Sequence, residues 1–266
     1  MTDAFDGKKI RDQIMKKLAD KVIDMERPPV LAEFLIGDDP VSRKYVELKQ
    51  KFALSIGVQF CLYKFEEKDS EEEIVEAIKF LNTDPETDGI LIQIPAPKKF
   101  DRDKLISTIS AEKDVDGLRY CLGLDSNFKP PVVLSVLEAI KRSKVDLKTS
   151  KVVVVGSGFL VGAPLIRVLK EKAVKLTIAD SATENFEAVV AEADIIISAT
   201  GVANLIKSES VKENVVLIDA GTAEQNGALV GDIEPAAYAK SSYHTPVPGG
   251  IGPTTIAMLF QNLVKK

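Results

Sequence analysis

Apolar residues recur along this chain in two rhythms, short unbroken runs and spacings of three and four, and the two rhythms alternate. The runs at 30–36, 59–65 and 89–94 predict strands, as do 151–155, 175–179, 194–199 and 215–219. Between them, Ile10, Ile14, Leu18 and Val22 mark an amphipathic helix over 8–25. A second helix carries Ser42, Tyr45, Lys49 and Phe52 and stops at Gly57. A third places Ile74, Ile78 and Leu81 on its buried stripe, opening on the capping-box pair Ser70 and Glu73. The acidic residues 71–73 then read as a solvated first turn that suits the helix dipole rather than as metal ligands. Further helices are expected over 132–142, after Pro130-Pro131, and over 185–193; a last one over 253–265 is expected to pack back on the first half.

Strand and helix in alternation require helical crossovers, and therefore parallel pairing. The expected fold class is α/β, with two α/β domains around a cleft. The first spans 1–134 and is completed by a C-terminal helix within 250–266; the second, 135–249, is a Rossmann-type dinucleotide-binding domain. The second assignment rests on 151–164, KVVVVGSGFLVGAP. Four valines describe a strand buried on both faces, and Gly156, Gly158 and Gly162 follow at the turn into an apolar helix. Glycines there let the backbone approach a pyrophosphate that the helix N-terminus holds with its free N–H groups. The spacing, GxGxxxG, is one residue longer than the usual fingerprint, and the strand–turn–helix context supports it.

With 266 residues, 45% hydrophobic and 28% charged, the chain has the composition of a soluble globular protein large enough for one or two cores. A net charge of −5 without a basic run argues against a nucleic-acid surface. Cys61 and Cys121 are far apart and lack metal-type spacing, which reads as two reduced thiols and no metal site. No stretch of about 18 apolar residues and no signal peptide is present, so a cytoplasmic protein with no membrane partner is expected.

Few residues stand out as chemistry on their own. Tyr45 and Lys49 share a helix face, an aromatic plane beside an amine, although a half-buried Tyr and a snorkelling Lys read the same way. Gln93 ends a predicted parallel strand, where ligands bind in open α/β sheets. Asp114 and Asp116 in KDVDG read first as turn formers, and His244, the single histidine, as a loop residue.

Taken together, six segments change this picture. GDDPVSRKYVELKQK, DGILIQIPAP, KDVDG, VVVVGSGFLVGAP, LVGDI and TPVPGGIGPTT occur in the order seen in methylenetetrahydrofolate dehydrogenase/cyclohydrolase enzymes, and PGGIGPTT closely resembles that family's PGGVGPMT signature. The chain resembles that family along nearly its whole length. The resemblance implies oxidation of 5,10-methylenetetrahydrofolate by NADP or NAD, then hydrolysis of the methenyl cation to 10-formyltetrahydrofolate. It makes Lys49, Gln93 and Asp116 the catalytic set, with the first domain binding folate. Lys49 matches the lysine of the family's YxxxK motif, a neutral amine able to take a proton from the attacking water. Gln93 matches its hydrogen-bond partner, and Asp116 the carboxylate that fixes the pterin. Tyr45 matches the ring that stacks on the folate, and Ser42, Pro248, Gly249 and Gly250 join it in substrate binding. Cofactor contacts are implied at Gly156, Ser157, Gly158 and Gly162, at Asp180 and Ser181, and at Thr200, Gly201, Thr222 and Thr255. The implied partners are tetrahydrofolate derivatives, polyglutamylated or not, in a homodimer that serves one-carbon metabolism and purine biosynthesis.

The chain departs from the family pattern in two places. Gly117-Leu118-Arg119-Tyr120 and Pro130-Pro131-Val132-Val133 replace the usual GFHP and PCTP stretches. Ser157 and Asp180-Ser181-Ala182 stand where NADP-using members carry arginine or His-Ser-Arg, and an acidic side chain at the end of the second Rossmann strand favours NAD. Two rival readings stay open at this level: a same-fold dehydrogenase without cyclohydrolase activity, and a non-catalytic dinucleotide-binding sensor.

Overall fold

The computed structural model describes residues 3–172 and 174–265; residues 1, 2, 173 and 266, which fall within the assigned domains, lie outside that set. Strand β1 (Asp3–Ala4) and helix α1 (Gly7–Ile23) open the chain. There follow β2 (Val30–Ile36), α2 (Pro40–Ser55), β3 (Gln59–Phe65), α3 (Glu71–Thr83), β4 (Gly89–Ile92), α4 (Arg102–Thr108) and α5 (Leu118–Leu122). The second half runs α6 (Pro131–Ser143), β5 (Lys151–Val155), α7 (Gly162–Glu171), β6 (Lys175–Ala179), α8 (Phe186–Ala191), β7 (Ile195–Ser198) and β8 (Val215–Asp219). A small hairpin of β9 (Ala223–Gln225) and β10 (Ala228–Val230), then β11 (Ser241–His244) and α9 (Ile251–Leu263), complete it.

The chain divides into two compact units. One comprises Asp12–Pro131 together with the residues from Ile256 onward. Its sheet is three-stranded and parallel in the order β3-β2-β4, with β2 central. Leu31 and Leu91 from the sheet pack with Met15, Leu18 and Val22 of α1 and with Phe260 and Leu263 of α9. Asn262 locks the last helix to this unit by donating to the carbonyls of Val115 (2.9 Å) and Lys129 (3.0 Å). The expected return of the last helix to the first half is therefore met from Ile256 on. Helix α2 starts at Pro40, where the missing N–H is not needed, and Asp39 caps it by accepting from the Ser42 amide at 2.7 Å. The Ser70–Glu73 capping box forms as its spacing predicts.

The other unit comprises Val132–Thr255 with the residues up to Arg11. Its sheet is six-stranded and parallel throughout, in the order β1-β11-β8-β7-β5-β6. Chain order reverses direction between β5 and β7, which creates a topological switch point at their carboxyl ends. The central strands are apolar on both faces, as the valine and isoleucine runs require.

Several boundaries differ from the sequence reading. The segment up to Arg11, assigned above to the 1–134 domain, joins the second unit because Asp3 and Ala4 pair with Tyr243 and His244, and the Phe5 amide donates to the His244 carbonyl at 2.8 Å. His244 is accordingly a strand residue, not a loop residue; its ring stacks on Tyr238 at 4.3 Å. The run 89–94 ends its regular pairing at Ile92, just before Pro95 and Pro97, which have no N–H to give a ladder. Helix α9 begins two residues early, at Ile251, with Pro253 tolerated in its first turn.

Candidate active site

Strand β2 is apolar except at its centre, where Glu33 is fully buried. One carboxyl oxygen, Oε1, accepts from Lys49 Nζ, and Lys49 also donates to Gln93 Oε1 at 2.8 Å. Lys49 reaches this position from α2, the helix that follows β2, three turns after its cap. Gln93 follows β4 and is itself held, its amide N–H bonded to the Phe34 carbonyl (2.9 Å) and its Nε2 donating to the Ile94 carbonyl (2.8 Å). Oε1 of Gln93 is thereby aimed at Lys49, because the amide's other end is committed.

Asp116 arrives from the KDVDG segment. That segment runs beside β4: the Ile90 amide donates to the Lys113 carbonyl at 2.7 Å, and Ile90 and Asp114 form a parallel bridge. Two residues farther on, Asp116 lies at the same end of the sheet as Gln93. Burial pushes its carboxyl up from the ordinary carboxylate range, and the charge of Lys49 draws it back. Among the described residues nothing donates a hydrogen bond to Asp116, which leaves this half-buried carboxylate available to a ligand. Asp114 is different. It is fully buried and accepts from the amides of Leu118 (3.0 Å) and Arg119 (2.8 Å), so it caps α5, the turn-forming role expected of it. Burial raises its carboxyl to about 7.

The variant stretch at 117–133 now has a structural explanation. Gly117 has φ +65°, and a Cβ there would meet the Pro130 nitrogen at 2.6 Å. Arg119 is committed to the fold through hydrogen bonds to the carbonyls of Asp125 (2.8 Å), Ser107 (2.6 Å) and Ile109 (2.9 Å). Pro131 begins α6.

Tyr45 is 51% exposed on α2, one turn before Lys49, as a stacking ring must be. Ser42 sits differently: its side chain is buried, and its Oγ has no hydrogen-bond partner. Pro248, Gly249 and Gly250 lie in the loop between β11 and α9, in the other unit. There a Cβ on Gly7 would overlap the Gly250 carbonyl oxygen at 1.9 Å, and the Gly7 amide donates to the Gly249 carbonyl at 3.0 Å.

In the second unit the candidate cofactor residues gather at the carboxyl ends of β5, β6 and β7. Gly156 has φ +94° and lies against the Ala199 carbonyl and Thr200; a Cβ on Gly162 would sit 2.2 Å from the Gly156 carbonyl oxygen. Gly158 has no protein atom within 4 Å of such a Cβ, so the middle of the turn is open. No side chain caps α7 at Val161; the Ala163 amide donates to the Gly158 carbonyl at 3.0 Å, the Leu165 amide to the Val161 carbonyl at 3.1 Å, and Pro164 has no N–H, which leaves the Gly162 amide as the donor of this first turn. These features fit a dinucleotide pyrophosphate. Ser157 is exposed in the same turn, and Asp180 and Ser181 are exposed just after β6. Thr200 and Gly201 follow β7, but the Thr200 amide (2.7 Å) and Oγ1 (2.9 Å) both donate to Asp232. Thr222 is exposed after β8. Thr255 lies inside α9 and donates to the Ile251 carbonyl at 3.0 Å.

His244 takes no part in either cluster. Burial lowers its pKa, and Nδ1 lies 3.2 Å from Ser241 Oγ. Glu33 is the residue that sequence reasoning missed. Its signal was present, a lone acid in the centre of an otherwise apolar seven-residue strand.

Comparison with known proteins finds two family models in succession along the chain. Residues 5–116 match the family model described as tetrahydrofolate dehydrogenase/cyclohydrolase, catalytic domain, and residues 130–266 match its NAD(P)-binding domain. The bifunctional protein FolD of Bacillus subtilis is 40% identical over 272 residues, covering 98% of this chain and 96% of its own. The crystal structure of the Campylobacter jejuni bifunctional enzyme FolD superposes with a TM-score of 0.94 at 34% identity, covering 100% of this chain and 98% of that one. The Trypanosoma brucei enzyme, solved with NADP and an inhibitor, gives a TM-score of 0.90 at 29% identity, with 98% and 96% coverage.

Proposed function

This chain belongs to the tetrahydrofolate dehydrogenase/cyclohydrolase family and carries both activities on an NAD(P)-binding enzyme; from that premise we propose how its residues divide the work. The substrate is 5,10-methylenetetrahydrofolate, bound in the Asp12–Pro131 unit with its pterin on Asp116 and its ring system over Tyr45. A bound nicotinamide would supply the hydride acceptor for the methylene carbon, which asks of the protein only that the reactants be held in order. The Gly156–Gly162 turn and the N-terminus of α7 hold the cofactor's pyrophosphate.

The resulting methenyl carbon is cationic and open to water. Lys49, as a neutral amine, takes a proton from that water as the C–O bond forms. Gln93 keeps the Lys49 nitrogen directed, since its own amide is fixed at both ends. The observation that carries this reading is the convergence of Lys49, Gln93 and Asp116, from three separate segments, at one end of the β3-β2-β4 sheet. A dinucleotide sensor would have no use for that cluster. Polyglutamylated and simple folates and a homodimer belong to the same reading and rest on the family resemblance.

The test is Asp116→Asn, which keeps the size of the side chain and removes its charge. Losing one member of a charge-assisted pair costs a few kcal/mol, so kcat/KM for methenyl formation and for methenyl hydrolysis should each fall by roughly 30-fold or more. Loss of one activity alone would show that Asp116 serves a chemical step and not pterin binding.

A further inference from the structure

Glu33 is part of neither the motif set nor the role assignments above, yet it is the closest charged neighbour of Lys49. It is fully buried, while the Lys49 side chain is 12% exposed. Oε1 accepts from Lys49, but Oε2 is buried with no hydrogen-bond partner. Its register neighbours are Leu62 on β3 and Leu91 on β4. The charged groups that act on it are Lys49, from α2, and Asp116, from the turn after Val115; Gln93, after β4, completes the surroundings without a charge. A carboxylate with one oxygen unpaired in an apolar strand is poorly solvated as an anion, whereas the neutral acid needs far less solvation. Burial accordingly pushes the Glu33 carboxyl up, with Asp116 adding to the rise and Lys49 opposing it.

We propose that Glu33 acts through Lys49, holding the proton that the two groups share so that Lys49 meets the methenyl substrate as a neutral amine. This rests on the reading of Lys49 as the base for hydrolysis. In the resting pair the proton sits on Glu33 Oε2, the neutral Nζ donates its two N–H bonds to Glu33 Oε1 and Gln93 Oε1, and its lone pair is left for water. Water's oxygen then bonds to the methenyl carbon, the C=N π electrons move onto nitrogen, and one water proton passes to Nζ. On collapse the C–N5 bond breaks and N5 takes that proton, while the adduct hydroxyl gives its own to Nζ as the formyl C=O forms. One proton per turnover then leaves Nζ for solvent, balancing the lost positive charge of the substrate. The pair titrates as a unit, and its singly protonated form is competent over a wide range.

The experiment is the pH profile of methenyl hydrolysis for the wild type and Glu33→Gln. Wild-type kcat should be flat across neutral pH, where the pair holds one proton. In Glu33→Gln the amine must lose its proton to solvent, so kcat should fall at least tenfold near pH 7 and climb roughly tenfold per pH unit, with KM within about threefold. Glu33→Asp, which restores a carboxyl, should recover part of the flat profile. Faster hydrolysis in Glu33→Gln at neutral pH would show that Glu33 is an anion that merely pairs with an ammonium, and would overturn the proposal. Loss of rate with an unchanged profile would reduce Glu33 to a structural role and overturn it equally. Should Glu33→Gln fail to fold, carbon-13 NMR of glutamate-labelled wild type decides: one glutamate carboxyl should stay protonated at neutral pH, and full ionisation of every glutamate would refute the idea. The reading of Lys49 fails separately, on a Lys49→Arg enzyme that still hydrolyses, without any Glu33 variant.

Discussion

Asp180 stands just past β6, exposed, with Oδ1 accepting from the Ala182 amide (2.9 Å) and from Thr183 Oγ1 (3.3 Å). Those bonds hold its carboxylate in place at the end of the second strand of the β5–α7–β6 unit, where an acidic side chain usually accepts from the ribose hydroxyls of NAD. A 2′-phosphate would bring a charge of about −1.5 to −2 toward that oxygen, and neither Ser157 nor Ala182 supplies a compensating cation. NAD should therefore be used at least as well as NADP. Asp180→Ala should move the kcat/KM ratio toward NADP by roughly five- to tenfold, a modest change because solvent screens an exposed charge. Saturation curves with the two cofactors check this; a wild type at least tenfold better with NADP would contradict it. Legibility at this scale was uneven. Lys49, Gln93 and Asp116 were visible through motif order, and Asp180 through its place after a strand. Glu33 was not, because a single acid in a strand has no partner in sequence; its partner lies 16 residues away on the next helix.

The turn from β5 into α7 shows what the glycine spacing means physically. At Gly162 an added Cβ would press on backbone, the Gly156 carbonyl at 2.2 Å and Ser157 Cα at 2.9 Å, and neither can yield without moving the turn. At Gly158 the same atom would meet nothing. Gly162→Ala should thus weaken NAD(P) binding at least tenfold and lower stability by about 1–3 kcal/mol, as overpacking does. Gly158→Ala should leave the melting temperature near the wild-type value and weaken cofactor binding alone. Calorimetric titration with thermal melts separates the two; equal stability loss in both variants would mean that the open space at Gly158 is not a ligand site. Elements with a period were readable in advance, since a buried strand or a helical stripe writes itself into many residues. The two residues of β1 carry no such pattern, and only the pairing with Tyr243 and His244 makes them a strand.

Over the whole molecule, the alternation of runs and stripes was enough to foresee two parallel α/β units. Which residues cross from one unit to the other was not legible, because that is decided by contacts such as Gly7 against the Gly249-Gly250 backbone and Asn262 on the Val115 carbonyl. On the proposed function, one pterin site that draws Tyr45, Lys49, Gln93 and Asp116 from the Asp12–Pro131 unit supports both the oxidation and the hydrolysis, with Lys49 required as a base only for the second. Lys49→Arg, assayed for both activities in one preparation, tests it most directly. Arginine keeps the positive charge but offers no neutral amine near neutral pH. Hydrolysis of the methenyl substrate should fall by about 100-fold or more while KM for methylenetetrahydrofolate in the dehydrogenase assay stays within about fivefold. Near-normal hydrolysis by Lys49→Arg would contradict the account and leave Lys49 as a group that only positions the substrate.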